Sequence, residues 1–140
     1  MDRARMPSNV ARFEQLMYLA IAFGVIEAAL NWNRAVLEAD PVGGATFVVI
    51  VQGSILLSDV ILIWLIARRR KNWARWLALI SFLVEIPFRV NTYIDLFQTD
   101  AFAGVLSAAQ DLLQMIALYL VFTGDARDWF QHPATDSIPR

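Results

Sequence analysis

The chain has 140 residues, of which 58% are hydrophobic, with a mean hydropathy of +0.49 and a formal net charge of −1. Its length fits one domain, and a soluble domain of that size cannot enclose so much apolar surface, because burial grows too slowly with chain length. With no cysteine there is no disulfide, thiolate ligand or cysteine nucleophile. The single histidine, His132, excludes bis-histidine haem ligation within one chain and His-rich metal sites.

The first apolar stretch follows Arg3, Arg5 and Arg12 and runs from Phe13 to Trp32. It is about 20 residues long, where a signal-peptide core has roughly 7–15. It contains Glu27 and ends in Asn31-Trp32-Asn33 instead of a small-residue cleavage site, so it is expected to persist as a membrane span. Asp40-Pro41-Val42-Gly43-Gly44 reads as a turn, and a second span follows from Ala45 to Ala67. The polar hairpin Arg68-Arg69-Arg70-Lys71-Asn72 leads into a third span, Trp73 to Val90. Residues Asn91 to Phe102 are expected to form an interfacial loop, with Tyr93, Phe97 and Phe102 in the headgroup layer. The fourth span covers Ala103 to Phe122, and residues 125–140 form a polar tail. Each span approaches the roughly 20 residues that cross a hydrocarbon core. The expected fold is all-α: a four-helix transmembrane bundle with short connections, occupying residues 1–124.

Ten of the twelve Lys and Arg residues fall in the N-terminal segment, in or just after the second connection, and in the C-terminal tail; only Arg34 and Arg89 lie elsewhere. By the positive-inside rule this places both termini in the cytoplasm. Arg68, Arg69, Arg70 and Lys71, with Trp73 and Trp76 beside them, are expected to touch lipid headgroups. The basic hairpin is too short and too close to the bilayer to bind nucleic acid.

One carboxylate lies in each apolar stretch: Glu27, Asp59, Glu85 and Asp111. Each costs about 3 kcal/mol at the bilayer centre even on a lenient scale, so the four are expected to face the bundle interior. Ser81, Glu85 and Arg89 recur every four residues and form one stripe. Gly24, Glu27 and Asn31 form another, as do Ser107, Asp111 and Gln114. Gln52 and Asp59 share a face of the second span, and Gln110 lies at a similar depth to Gln52. With a rise of about 1.5 Å per residue, Arg89 reaches the level of Glu27, and a bridge from Arg89 to Glu27 and Glu85 is expected. Asp111 is then left to share a proton with Glu85 or to accept from a glutamine. Four acids against one guanidinium cannot all ionise in a dry bundle, so some hold protons, or the interior is wet, or it binds a cation. Pro87, between Glu85 and Arg89, removes one helical N–H and points to a kink.

Three function classes fit. The favoured one is an accessory or scaffold subunit of a membrane complex, whose polar network fixes helix order or docks partner subunits. The alternative is a small oligomeric carrier or a proton or cation pathway using the intramembrane carboxylates. An enzyme ranks last: the Glu-x-x-His, P-loop, G-x-S-x-G and H-E-x-x-H patterns are all absent, and no cofactor is indicated. The Arg-rich hairpin followed by Asn72-Trp73-Ala74-Arg75-Trp76 resembles small, uncharacterised bacterial four-span membrane proteins. That resemblance covers the junction of spans two and three and implies an inner-membrane location and no particular activity. The diagnostic motifs of small multidrug transporters and fluoride channels are absent.

Overall fold

The computed structural model describes residues 6–131. Arg3, Arg5, His132 and Arg140 lie outside the described residues. Among those described, all regular structure is helical: α1 (Ser8–Leu30), α2 (Trp32–Glu38), a 3-10 turn (Asp40–Val42), α3 (Gly44–Ala67), α4 (Asn72–Thr99), α5 (Ala101–Phe122) and α6 (Ala126–Gln131). Helices α1, α3, α4 and α5 are long and apolar enough to cross a membrane.

Helix α1 starts at Ser8, five residues before the expected boundary, and ends at Leu30. Ser8, Asn9 and Arg12 dilute the hydropathy there, so composition conceals the start. The cap comes from far along the chain. Asp125 accepts from the Ser8 amide (2.8 Å), the Ser8 hydroxyl (2.9 Å) and the Asn9 amide (3.1 Å). These are amide groups that a helix cannot satisfy internally. The Asn9 side chain donates to the Thr123 carbonyl at 2.9 Å. Gly124 makes this close approach possible. Its φ is +58°, and a Cβ there would lie 2.5 Å from Asn9 Nδ2.

Two further departures reshape the upper half of the molecule. Trp32, expected to end the first span, instead begins a short helix, Trp32–Glu38, whose remaining residues the sequence assigned to no element. The expected loop at Asn91–Phe102 is instead a continuation of α4 to Thr99. Residues 91–99 contain neither Gly nor Pro. The Thr92 and Thr99 hydroxyls donate back to the Phe88 and Asp95 carbonyls, which lets polar residues sit within a helix. The chain turns only at Asp100, which is extended (φ −149°, ψ 90°) and caps α5 by accepting from the amides of Phe102 and Ala103. At 28 residues, α4 is about 42 Å long, more than a turn beyond the ~30 Å hydrocarbon thickness.

The apolar core lies at one end. Val10, Phe13 and Met17 of α1 meet Ile63, Ile66 and Ala67 of α3 there, with Ala74 of α4 and Ala117 and Val121 of α5. The first part of the expected polar tail joins them. Ala126 and Phe130 of α6 are buried in this core, because residues four apart lie on one face of a helix. Helix α1 packs most extensively on α5. Gly24 sits at this approach: a Cβ there would lie 3.0 Å from Gln110 Oε1, so the amide would have to move by a few tenths of an ångström. Helix α3 buries Val48 near its start and Ile63, Ile66 and Ala67 near its end, and nothing between. Helix α4 buries only Ala74 and Leu96. The bundle is therefore sealed at the end carrying the basic hairpin and open through its middle.

Candidate functional site: a cavity bearing carboxylates and amides

The opening is a cavity of about 940 Å³ bounded by all four long helices and by α2. Its acidic lining includes Glu27 of α1 and Asp59 of α3; its amides include Gln52, Gln110, Gln114 and Asn31. At its upper end it is lined by Arg34 and Glu38 of α2 and Asp95 of α4. A second, smaller space of about 90 Å³ adjoins it, lined by Ser81 and Glu85 among others. Asp59, Arg89, Gln110 and Gln114 line both, so they form a polar floor between the two. Phe13, Met17, Ile63 and Ile66 line the lower space and belong to the apolar core.

The floor is built around Arg89. One nitrogen donates to Glu85 Oε2 at 3.0 Å and another to Asp111 Oδ1. Asp111 also accepts from the Tyr93 hydroxyl. The expected bridge to Glu27 does not form; its place is taken by Asp111. The difference follows from the longer α4. Tyr93 extends the Ser81–Glu85–Arg89 stripe by one more four-residue step, and together with Arg89 it presents two donors to α5, where Asp111 lies. Asp111 accordingly accepts from Arg89 and Tyr93, not from a glutamine. Side-chain exposure falls from 50% at Glu85 to 27% at Arg89 and 19% at Asp111, so the Arg89–Asp111 pair is the buried half of the network.

Glu27 and Asp59 are different. Among the described residues, neither side chain makes a hydrogen bond or ion pair. The hydrogen bond at Glu27 is from the Asn31 amide to its backbone carbonyl (3.1 Å). No group of three or more His, Asp or Glu side chains among the described residues is arranged to hold a metal ion.

Sequence reasoning missed the upper rim. Arg34 bonds Glu38 at 2.9 Å within α2 and reaches Asp95 on α4. The hydrogen bonds to Asp95 and then Glu38 favour its charged form and raise its pKa further. The spacing of Arg34 and Glu38 was a readable signal, but without a helix at Trp32–Glu38 and a helical Asp95 nothing placed them together.

At the opposite end, the basic hairpin is partly occupied by its own chain. Arg68 makes two hydrogen bonds to Glu14, each 3.1 Å. Arg69 lies over the Trp64 ring and Arg70, at φ 52°, over Trp129 with 3.6 Å to the centroid. Trp73 and Trp76 are about half exposed, and Trp76 meets Phe122 edge-on at 5.0 Å. Arg75 stacks against both Phe122 and Phe130, tying α4 to α5 and α6.

Polar groups converging on one large concavity are the usual mark of a small-molecule site, and Asp59, Glu27 and the three glutamines meet that description. Comparison with protein-family models, with curated proteins and with solved structures gives no match to this chain.

Proposed function

We propose that this chain is a multi-pass protein of the bacterial inner membrane that admits a small solute into its bundle, acting as a small carrier or cation pathway. The observation that carries this reading is the cavity of about 940 Å³, whose lining includes two carboxylates, Glu27 and Asp59, that make no side-chain hydrogen bond or ion pair among the described residues. Acids left unpaired beside an open space favour a solute over a network that only fixes helix order. Interhelical hydrogen bonds add only about 0.6 kcal/mol each on average, so a purely structural network would pair its acids or do without them. The distribution of Lys and Arg supports cytoplasmic termini, with the α2 end of the cavity on the periplasmic side and the apolar core at the cytoplasmic end.

The absence of cysteine makes the test direct. Gln52→Cys, on the cavity wall, is expected to react with a membrane-impermeant maleimide added from the periplasmic side, while Ile63→Cys, in the sealed core, is not. Failure to label Gln52→Cys, or labelling from the cytoplasmic side alone, overturns the reading. Reporter fusions at Gly44 and after Asp100 check the topology and are expected to report the periplasm, with fusions near Asn72 reporting the cytoplasm.

A further inference from the structure

We infer that the solute is an organic ammonium ion with an apolar body, held by Glu27 of α1 and Asp59 of α3, which line the same cavity. This rests on the solute-binding reading above and narrows it to one chemical class.

The charges decide the sign. The large cavity is lined by four carboxylates (Glu27, Glu38, Asp59 and Asp95) and two guanidiniums (Arg34 and Arg89). Each guanidinium is already shared between two acids: Arg34 between Glu38 and Asp95, Arg89 between Glu85 and Asp111. Among the described residues an anion entering here finds no free cation and faces an excess of carboxylates. A neutral solute leaves Glu27 and Asp59, both partly buried, without an ionic partner among the described residues. A cation meets both acids and supplies that partner.

Size and lining decide the rest. The space is of the order that encloses a drug-sized molecule, far more than a bare ion fills. The acids are dispersed over different helices and form no three-donor metal cluster among the described residues. Between Glu27 and Asp59 the walls are aliphatic, from Ile21 and Val25 on α1 to Val51, Ile55 and Leu56 on α3. These suit a hydrocarbon body. The amides of Gln110 and Gln114 at the floor offer carbonyl oxygens to ammonium N–H groups, as a protonated amine requires.

The test uses the whole protein carrying Gln52→Cys, in nanodiscs, with maleimide labelling as the readout. Three probes share one body and differ in charge: benzylammonium, benzyl alcohol and benzoate. Benzylammonium is expected to slow labelling in a saturable way, and the other two to leave it unchanged. Glu27→Gln and Asp59→Asn should each weaken that protection at least tenfold, equivalent to about 1.4 kcal/mol. Glu27→Asp, which keeps the charge, should retain most of it. Near-UV circular dichroism of each variant confirms folding; should Asp59→Asn not fold, the Glu27 pair decides alone. Equal protection by benzyl alcohol or benzoate, or undiminished protection in Glu27→Gln, overturns the ammonium assignment. So does protection by sodium or magnesium alone, or a Gln52→Cys that labels freely and is protected by none of the probes. A Gln52→Cys that does not label at all overturns the solute-binding reading, and this inference with it.

Discussion

Replacing Arg89 by leucine tests the core of the polar floor. The substitution removes the donor to Asp111, whose side chain is 19% exposed, and to Glu85, which is 50% exposed. Breaking a fully buried pair by deleting one partner costs about 3–5 kcal/mol. Two features reduce that figure here. Asp111 keeps its hydrogen bond from Tyr93, and half-exposed Glu85 loses an interaction worth about 1 kcal/mol or less. Stranding the remaining Asp111 oxygen adds about 1–3 kcal/mol, so Arg89→Leu should destabilise by about 2–3 kcal/mol. Reversible unfolding in mixed micelles, followed by tryptophan fluorescence, measures this. Double-mutant cycles then locate it: coupling between Arg89 and Asp111 should reach about 1.5 kcal/mol, and between Arg89 and Glu27 it should be near zero. A loss below about 0.5 kcal/mol in Arg89→Leu, or a larger coupling to Glu27 than to Asp111, refutes the assigned network.

Two other predictions concern the sealed end. Phe130 is 9% exposed in the core and stacks on Arg75, so Phe130→Ala should cost about 3 kcal/mol and release α6, exposing residues 123–126 to limited proteolysis; unchanged cleavage would contradict the docking of α6. Asp125 caps α1. Desolvation opposes its ionisation, but hydrogen bonds from the Ser8 hydroxyl and from the Asn9 and Ser8 amides outweigh this and hold its pKa below the usual carboxylate range. A lowered native pKa means the unfolded state binds the proton more readily. The stabilisation is thus complete above the unfolded value of about 3.9 and disappears as pH falls through the lower native value. Wild-type thermal stability should drop across that acidic window, and Asp125→Asn should flatten the drop; parallel pH curves would refute it.

Much of this architecture is legible in residue order. Hydropathy separates the four long helices because each carries a continuous apolar run, and helical spacing groups Ser81, Glu85 and Arg89 on one wall. What hydropathy cannot register is a helix continuing beyond the apolar run. Residues 91–99 are too polar to extend a span, yet they remain helical, and that extension brings Tyr93 to Asp111 and Asp95 to Arg34. Partner choice was therefore misread at Arg89: depth along separate helices says which residues share a level, but not which of them face each other. The Asp125 cap was invisible for a related reason. Nothing local to Ser8 signals an acceptor 117 residues away.

The sealed end also carries a consequence for biogenesis. The most extensive helix pair, α1 with α5, joins the first and last long helices, and the Asp125 cap ties the start of α1 to the turn after α5. Helix α1 must therefore reside in the bilayer without its main partner while α3 and α4 are being made. Contacts this remote in sequence form late, because the whole intervening chain must be closed into a loop first. During that interval the face of α1 that later packs on α5 is uncovered, so the order of synthesis leaves an incompletely packed helix carrying Glu27 waiting in lipid. A chaperone or translocon that retains α1 until α5 emerges would shorten the exposure. Slowing translation between α4 and α5 should raise the fraction of chain degraded before assembly.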